Sequence, residues 1–186
     1  MFFRDYKHEL LEHQSKIDIL NTQLLRTKSS YDKLKYENER ILALILKHQG
    51  KSFKIKRTSK NKNVLLVINE KASGEKVFLE VLVYDVNQIS SLYHNLALYA
   101  SYKINTSELE IEDIVCSQSN MGFGYGQVAV NEILEQAETK NISLVWGKLE
   151  EDQWENLEHI QHFFKKIGFD IFIDENVRVA KMEKKL

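Results

Sequence analysis

The first forty-nine residues contain neither glycine nor proline. A run that long without a chain breaker has few alternatives to a helix. Its apolar residues recur in heptads. With Leu10 at position a, the a series is Leu10, Ile17, Leu24, Tyr31, Asn38 and Ile45. The d series is His13, Leu20, Thr27, Leu34, Ile41 and His48, and Phe3 and Tyr6 extend the seam backward. This predicts a coiled-coil arm over residues 1–50, as one helix or as two broken near Lys28-Ser29-Ser30. Asn38 stands where a polar residue sets register in parallel pairs, whereas His13 and Thr27 weaken the seam. Gly50 is a natural helix stop. The expectation is a homodimer formed through residues 1–50, with packing back onto its own domain or a different partner as the alternatives.

Beyond Gly50 the pattern changes. The whole chain has 186 residues, 43% of them hydrophobic and 28% charged, which allows one globular domain after the arm. With 26 basic and 27 acidic side chains the net charge is −1, so no global field draws the chain to nucleic acid or a membrane surface. The single Cys116 can form no intrachain disulfide and no thiolate zinc site by itself. The opening MFFRDYKHELLEH lacks the apolar core of a signal peptide, and Ile41–Leu46 is too short an aliphatic run to cross a bilayer. These features fit a cytoplasmic protein with no membrane partner. The basic stretch Lys51, Lys54, Lys56, Arg57, Lys60 and Lys62 alternates in part with Phe53 and Ile55, as a solvated strand face does, so nucleic acid is not the expected partner.

Residues 53–58, 64–68 and 77–84 read as three β-rich runs separated by turns, hence an antiparallel meander. Residues 87–104 carry both a helical and a strand-like pattern, and a helix first is the expectation there. LEIEDIVC at 109–116 is a strand. Val128, Val130, Ile133, Leu134 and Ala137 then recur at helical spacing. SLVWGKL at 143–149 is a strand, Asn156–Lys166 a helix stopped by Gly168, and FDIFI at 169–173 a strand. Arg178–Met182 is expected as a last edge strand. The predicted fold class is α/β, an α+β mixed sheet over residues 51–186 with one parallel crossover, preceded by the helical arm.

At the strand-to-helix junction of that crossover lies SNMGFGYGQ, with Gly122, Gly124 and Gly126 alternating. Glycines there let a ligand approach the backbone, and a helix N-terminus offers free N–H groups and a positive dipole end, which suits a phosphate. The plain alternative is a tight turn. A dinucleotide fingerprint is excluded because Gln127 stands where its last glycine belongs. A P-loop is excluded because no Gly-Lys-Ser/Thr follows. The kinase elements H-R-D and D-F-G are missing as well.

Met121-Gly122-Phe123-Gly124-Tyr125-Gly126 resembles the Arg/Gln-x-x-Gly-x-Gly/Ala signature of the GCN5-related N-acetyltransferase (GNAT) family. FFKKIGFDIF at 163–172 is similar to that family's later segment of aromatic pair, helix end, Gly-Phe and strand. LEIEDIVC resembles its fourth strand, whose splayed end receives a pantetheine arm. The resemblance spans roughly residues 52–186 and leaves the arm outside it. It implies the acyl-CoA N-acyltransferase fold and acetyl-CoA as cofactor, with an unidentified amine as acceptor. By the same resemblance, backbone N–H groups of Met121, Gly122, Phe123, Gly124, Tyr125, Gly126 and Gln127 would hold the pyrophosphate. Main-chain groups of Ile114, Val115 and Cys116 would follow the pantetheine, and Asn156 and Phe163 would flank the far end of the cofactor arm.

Two positions depart from the family. Met121 replaces its Arg or Gln, a small loss where backbone carries the phosphate contacts. Phe164 stands where many members have a tyrosine that protonates the departing thiolate, and phenylalanine has no proton to give. Turnover can survive that loss, because a CoA thiol is acidic enough to leave unaided at some cost in rate. A CoA-binding scaffold that recruits a partner through the arm is therefore the alternative to an enzyme. The candidate bases are Glu80, Glu112 and Asp113, although alternation along a strand sets the last two on opposite faces unless a bulge intervenes. His159 and His162 read as helix-surface residues, Cys116 as a small packed thiol, and Trp146 and Trp154 as packing residues, Trp154 with the alternative of roofing an acceptor pocket; no spacing suggests a metal.

Overall fold

The computed structural model describes residues 2–88, 93–149 and 156–186. Two compact units divide it, Met1–Ala43 and Leu44–Leu186. The first consists of one helix, α1 (Phe2–Lys47), whose last residues enter the second unit. It runs without a break at Lys28-Ser29-Ser30. Three residues of turn follow it, and Gly50, the last of them, takes a left-handed φ of 81°. Pairs four residues apart line the solvated side, Lys16 on Glu12 at 2.8 Å among them, as expected of an exposed helix. The seam residues Leu10, Ile17, Leu20, Leu24 and Leu34 are exposed.

The second unit is built on an eight-stranded sheet of order β1-β2-β3-β4-β5-β6-β8-β7. Its strands are β1 (Ser52–Arg57), β2 (Asn63–Ser73), β3 (Lys76–Asp85), β4 (Leu96–Lys103), β5 (Glu108–Cys116), β6 (Leu144–Leu149), β7 (Asp170–Asp174) and β8 (Val179–Lys185). Helix α2 (Tyr125–Thr139) joins β5 to β6, and α3 (Leu157–Ile167) precedes β7. Among the described residues only β5 and β6 are parallel neighbours, so α2 is the crossover that the hydrophobic pattern demands. One face of the sheet carries the core. Leu79, Val81, Leu98, Leu109 and Ile111 pack there against Ala129, Val130 and Ile133 of α2 and Phe164 of α3.

Three expectations change. Residues 96–103 are strand, not helix: Leu96, Ala97, Leu98 and Ala100 are buried on both sides of a central strand, and apolar residues on both faces blur the strand-like alternation. The remainder of the ambiguous stretch includes residues 89–92, which lie outside the described residues, as does Trp154. The last strand is not an edge, because β8 lies between β6 and β7 and leaves β7 outermost. The turn between the second and third runs shrinks to Gly74-Glu75, since β2 extends to Ser73 and pairs directly with Lys76.

The basic stretch is tied into the fold. Lys54 and Lys56 of β1 reach Glu132 and Glu135 of α2, and Lys62 reaches Asp85.

Candidate functional site

β5 and β6 pair only from Glu108–Ile111 to Leu144–Gly147. Past Ile111 they part, although β5 continues to Cys116 on β4 and β6 to Leu149 on β8. The β6-facing main chain of β5 from Glu112 onward is thereby left without a ladder partner. Gly147 sits at the fork, where a side chain would collide with Met182 and reach within 3.0 Å of the Ile111 carbonyl oxygen. A cleft of about 520 Å³ opens from this fork, walled by β5, the start of α2, and α3.

The glycine stretch forms the cleft's end. After a short 3-10 turn at Gln118–Asn120, Gly124 caps α2 with φ of 83°, a conformation that favours glycine. A β-carbon there would also meet Ser59 Oγ at 2.8 Å, so the turn between β1 and β2 abuts the loop. Gly126 has a different constraint: its β-carbon would lie 3.1 Å from the Phe163 ring of α3. No side chain caps the start of α2, and its first turn holds no acidic residue. The N–H groups of Tyr125, Gly126 and Gln127 precede the first intrahelical bond, which Val128 N–H makes to Gly124, and these three residues line the cleft. Uncapped donors at a positive dipole end, with no carboxylate competing for them, are chemically fitted to an anionic group such as a pyrophosphate.

Most predicted site residues converge here. Ile114, Cys116, Met121, Gly122, Gly124, Tyr125, Gly126, Gln127, Asn156 and Phe163 all line the cleft. Val115 does not; its side chain is exposed, as strand alternation between Ile114 and Cys116 requires. Phe123 also stays outside the lining, and its ring carries the Lys62 ammonium 5.3 Å from the centroid. Glu112 and Asp113 both line the cleft because a bulge suspends alternation: Ile111 faces Ala100 and Ile114 faces Leu98, so the two carboxylates share the single residue Tyr99 opposite them. Glu80 lies apart. It is opposite Tyr99 in register, two strands from Asp113, and accepts a 3.4 Å hydrogen bond from Asn69.

Electrostatics separates these groups. Burial pushes the Glu112 carboxyl up, but hydrogen bonds donated by Ser101 Oγ at 2.7 Å and Lys76 Nζ at 2.9 Å outweigh it and hold the group below the usual range. Burial raises the Cys116 thiol, which disfavours the nucleophilic thiolate. The Tyr125 phenol is driven far up by burial and then by its hydrogen bond to Asp85, so it holds its proton. Phe164 is 3% exposed, wedged between Phe163 and Phe169 at 4.9 and 5.2 Å centroid distances, and it too lines the cleft.

Sequence reasoning missed several lining residues. His159 and His162 face the cleft from α3, as does Lys166. Their signal was available in part, because Asn156, His159, Ile160 and Phe163 are spaced as one helix face. Ser59, Lys60 and Lys148 left no such signal; what brings the β1–β2 turn to the glycine loop is α2, which lies across the sheet and meets β1 through Lys54 and Lys56. Among the described residues no grouping of three His, Cys, Asp or Glu side chains forms a metal site, and no helix is long and apolar enough to cross a membrane.

No protein-family model and no curated protein matches the sequence. Solved structures do resemble it. The GNAT domain of S. lividans PAT superposes with a TM-score of 0.51 at 11% identity, over 72% of this chain and 97% of that one. An acetyltransferase from Bacillus cereus ATCC 14579 gives 0.48 at 17% identity, over 60% of this chain and 74% of that one. The PaiA N-acetyltransferase from Thermoplasma acidophilum, solved in complex with coenzyme A, gives 0.44 at 15% identity, over 59% and 61%. With its mixed sheet, its fork between two parallel strands and its glycine-led crossover helix, the chain has the acyl-CoA N-acyltransferase fold of the GNAT proteins.

Proposed function

We propose that this protein is an N-acetyltransferase that moves an acetyl group from acetyl-CoA to an amine. One observation carries the reading: the uncapped, acid-free start of α2 opens onto the cleft beside the fork of β5 and β6. The amides of Tyr125, Gly126 and Gln127, with the loop from Met121, would hold the pyrophosphate. Main-chain groups of Ile114, Val115 and Cys116 would run beside the pantetheine, with Asn156 and Phe163 flanking its far end. The bound cofactor supplies the acetyl group as a thioester. Free N–H groups of β5 past Ile111 are suited to polarise its carbonyl.

The acceptor nitrogen must be neutral to attack, and one of the carboxylates near the fork would take its proton. Asp113 and Glu112 are nearest in register, and Glu80 stands two strands away. The low-lying carboxyl of Glu112, engaged by Ser101 and Lys76, makes it a weaker base than an ordinary glutamate. The arm, residues 1–50, would join two copies, with a different partner as the other occupant of its seam; domain boundaries at 1–50 and 51–186 belong to this reading.

A second reading, a scaffold that binds CoA without turnover, is favoured by the buried Phe164 ring, which brings no proton donor to the cleft. Acetyl-CoA at about millimolar concentration should raise the melting temperature, and free thiol should then appear with a panel of amines. No stabilisation refutes CoA binding altogether. Stabilisation without thiol release on any amine supports the scaffold.

A further inference from the structure

Tyr125 is the first residue of α2, yet its hydroxyl does not point at the cleft. It donates a 2.7 Å hydrogen bond to Asp85 Oδ2 at the end of β3. Asp85 is 0% exposed and Tyr125 1%, so this is a buried phenol on a buried carboxylate. The other oxygen, Oδ1, accepts the Asn87 N–H at 2.9 Å, and Lys62 Nζ lies 3.5 Å from Oδ2. The same Lys62 covers the Phe123 ring of the glycine loop.

The tie reaches both ends of that loop. Asp85 N–H donates to Asn95 Oδ1 at 2.7 Å, and Asn95 Nδ2 donates to Asn120 Oδ1 at 3.2 Å and to Gln88 Oε1 at 2.6 Å. Asn120 immediately precedes Met121; Tyr125 immediately follows Gly124. Between them, Gly122 has open space where a β-carbon would stand, while Gly124 abuts Ser59 of the β1–β2 turn.

A buried carboxylate is a costly way to stabilise a strand end, because apolar residues of similar volume do as well or better. What it supplies is direction. A short bond from a rigid aromatic side chain to a fixed acceptor sets the rotamer of the first helical residue, and with it the orientation of the amides at 125–127. We infer that Tyr125 and Asp85 are a positioning pair for the glycine loop, aiming the first amides of α2 at the anion they receive. The proposal rests on the CoA reading for the identity of that anion, but the geometry it asserts belongs to the unliganded chain.

Two readouts on the full chain test it. Tyr125→Phe removes the donor at unchanged shape, and Asp85→Leu removes the acceptor with a side chain of similar size. Calorimetric titration with CoA should show binding weakened about 10-fold in each variant, the loss of one charge-assisted hydrogen bond's geometry. Amide hydrogen exchange without ligand should quicken at residues 128–131, the first hydrogen-bonded amides of α2, while protection in β2, β3 and β6 holds. Wild-type affinity in both variants overturns the inference. So does a loss of affinity that only tracks a chain-wide fall in protection, which marks a merely structural bond. If the wild-type chain binds no CoA, the cofactor reading fails separately, and the exchange comparison still decides: unchanged exchange at 128–131 refutes the tie.

Discussion

The Phe163 ring lies 3.1 Å from where a β-carbon on Gly126 would stand, so α3 closes on the first turn of α2 with no side chain between them. Alanine needs only a small tilt of that ring and regains helix propensity, so Gly126→Ala should stay within about 1 kcal/mol of wild type. Gly126→Val overfills the contact and should cost roughly 1–3 kcal/mol in urea unfolding. The valine variant should also lose CoA affinity, because Phe163 is a wall of the cleft. Unaltered titration by that variant would detach Phe163 from the cofactor site.

Lys54 Nζ contacts Glu132 Oε1 at 2.8 Å, linking β1 to a carboxylate with 0% side-chain exposure. Gln136 also donates to Oε1, while Oε2 has no hydrogen-bond partner. Removing the cation in Lys54→Met leaves a buried charge short of its partner. The loss should be about 3 kcal/mol, the low end for breaking a buried pair because Lys54 is itself part exposed. The double variant Lys54→Met/Glu132→Leu should recover most of it. A double variant no better than the single would show that the pair adds net stability.

Two carboxyls predict the acid limb of stability. Glu112 is held low against burial by Ser101 and Lys76; Glu135 is lowered by its hydrogen bond from Lys56, opposed by burial and aided again by Lys54. For a carboxyl whose folded pKa lies below its unfolded one, the stabilisation is complete above the unfolded value. It is lost as pH falls through the folded value. The melting temperature should therefore decline below about pH 4.3, the ordinary carboxylate midpoint. The decline should be shallower in Ser101→Ala and in Lys56→Met, and parallel curves for all three proteins would contradict this assignment.

Phe164→Tyr restores a phenol where the ring meets the cleft. If the protein turns over acetyl-CoA, kcat should rise toward the roughly 100-fold that a positioned acid supplies, with little change in KM for the cofactor. A tyrosine variant with wild-type kcat would mean that thiolate departure does not limit the rate. The outcome is read by thiol release under saturating amine.

The exposed seam of α1 carries the dimer expectation. Leu20→Glu/Leu24→Glu replaces two seam leucines that the described unit leaves exposed. Sedimentation of the full chain should shift from dimer to monomer, with the melting of the sheet unit unchanged. A monomeric wild type would end the self-pairing reading, and an unchanged dimer in the variant would move the interface elsewhere.

Local pattern alone determined much of this protein. The glycine-free, proline-free heptads specify α1, since helix propensity and periodicity are properties of neighbours in the chain. The same holds for the strand–glycine–helix–strand order around Gly122 to Gly126, and for the helix stop at Gly168 with its φ of 89°. Residues 96–103 defeated that logic because apolar residues on both faces blur the alternation of Leu96, Leu98, Ala100 and Tyr102 with a helical spacing that fits as well. Only the tertiary structure decided which groups share the cleft. The bulge that seats Glu112 beside Asp113, the β1–β2 turn against Gly124, and the bond from Tyr125 to Asp85 join residues brought together by strand register and by how α2 lies across the sheet. Those depend on how eight strands choose neighbours, a choice made by packing over the whole sheet and written in no single stretch of sequence.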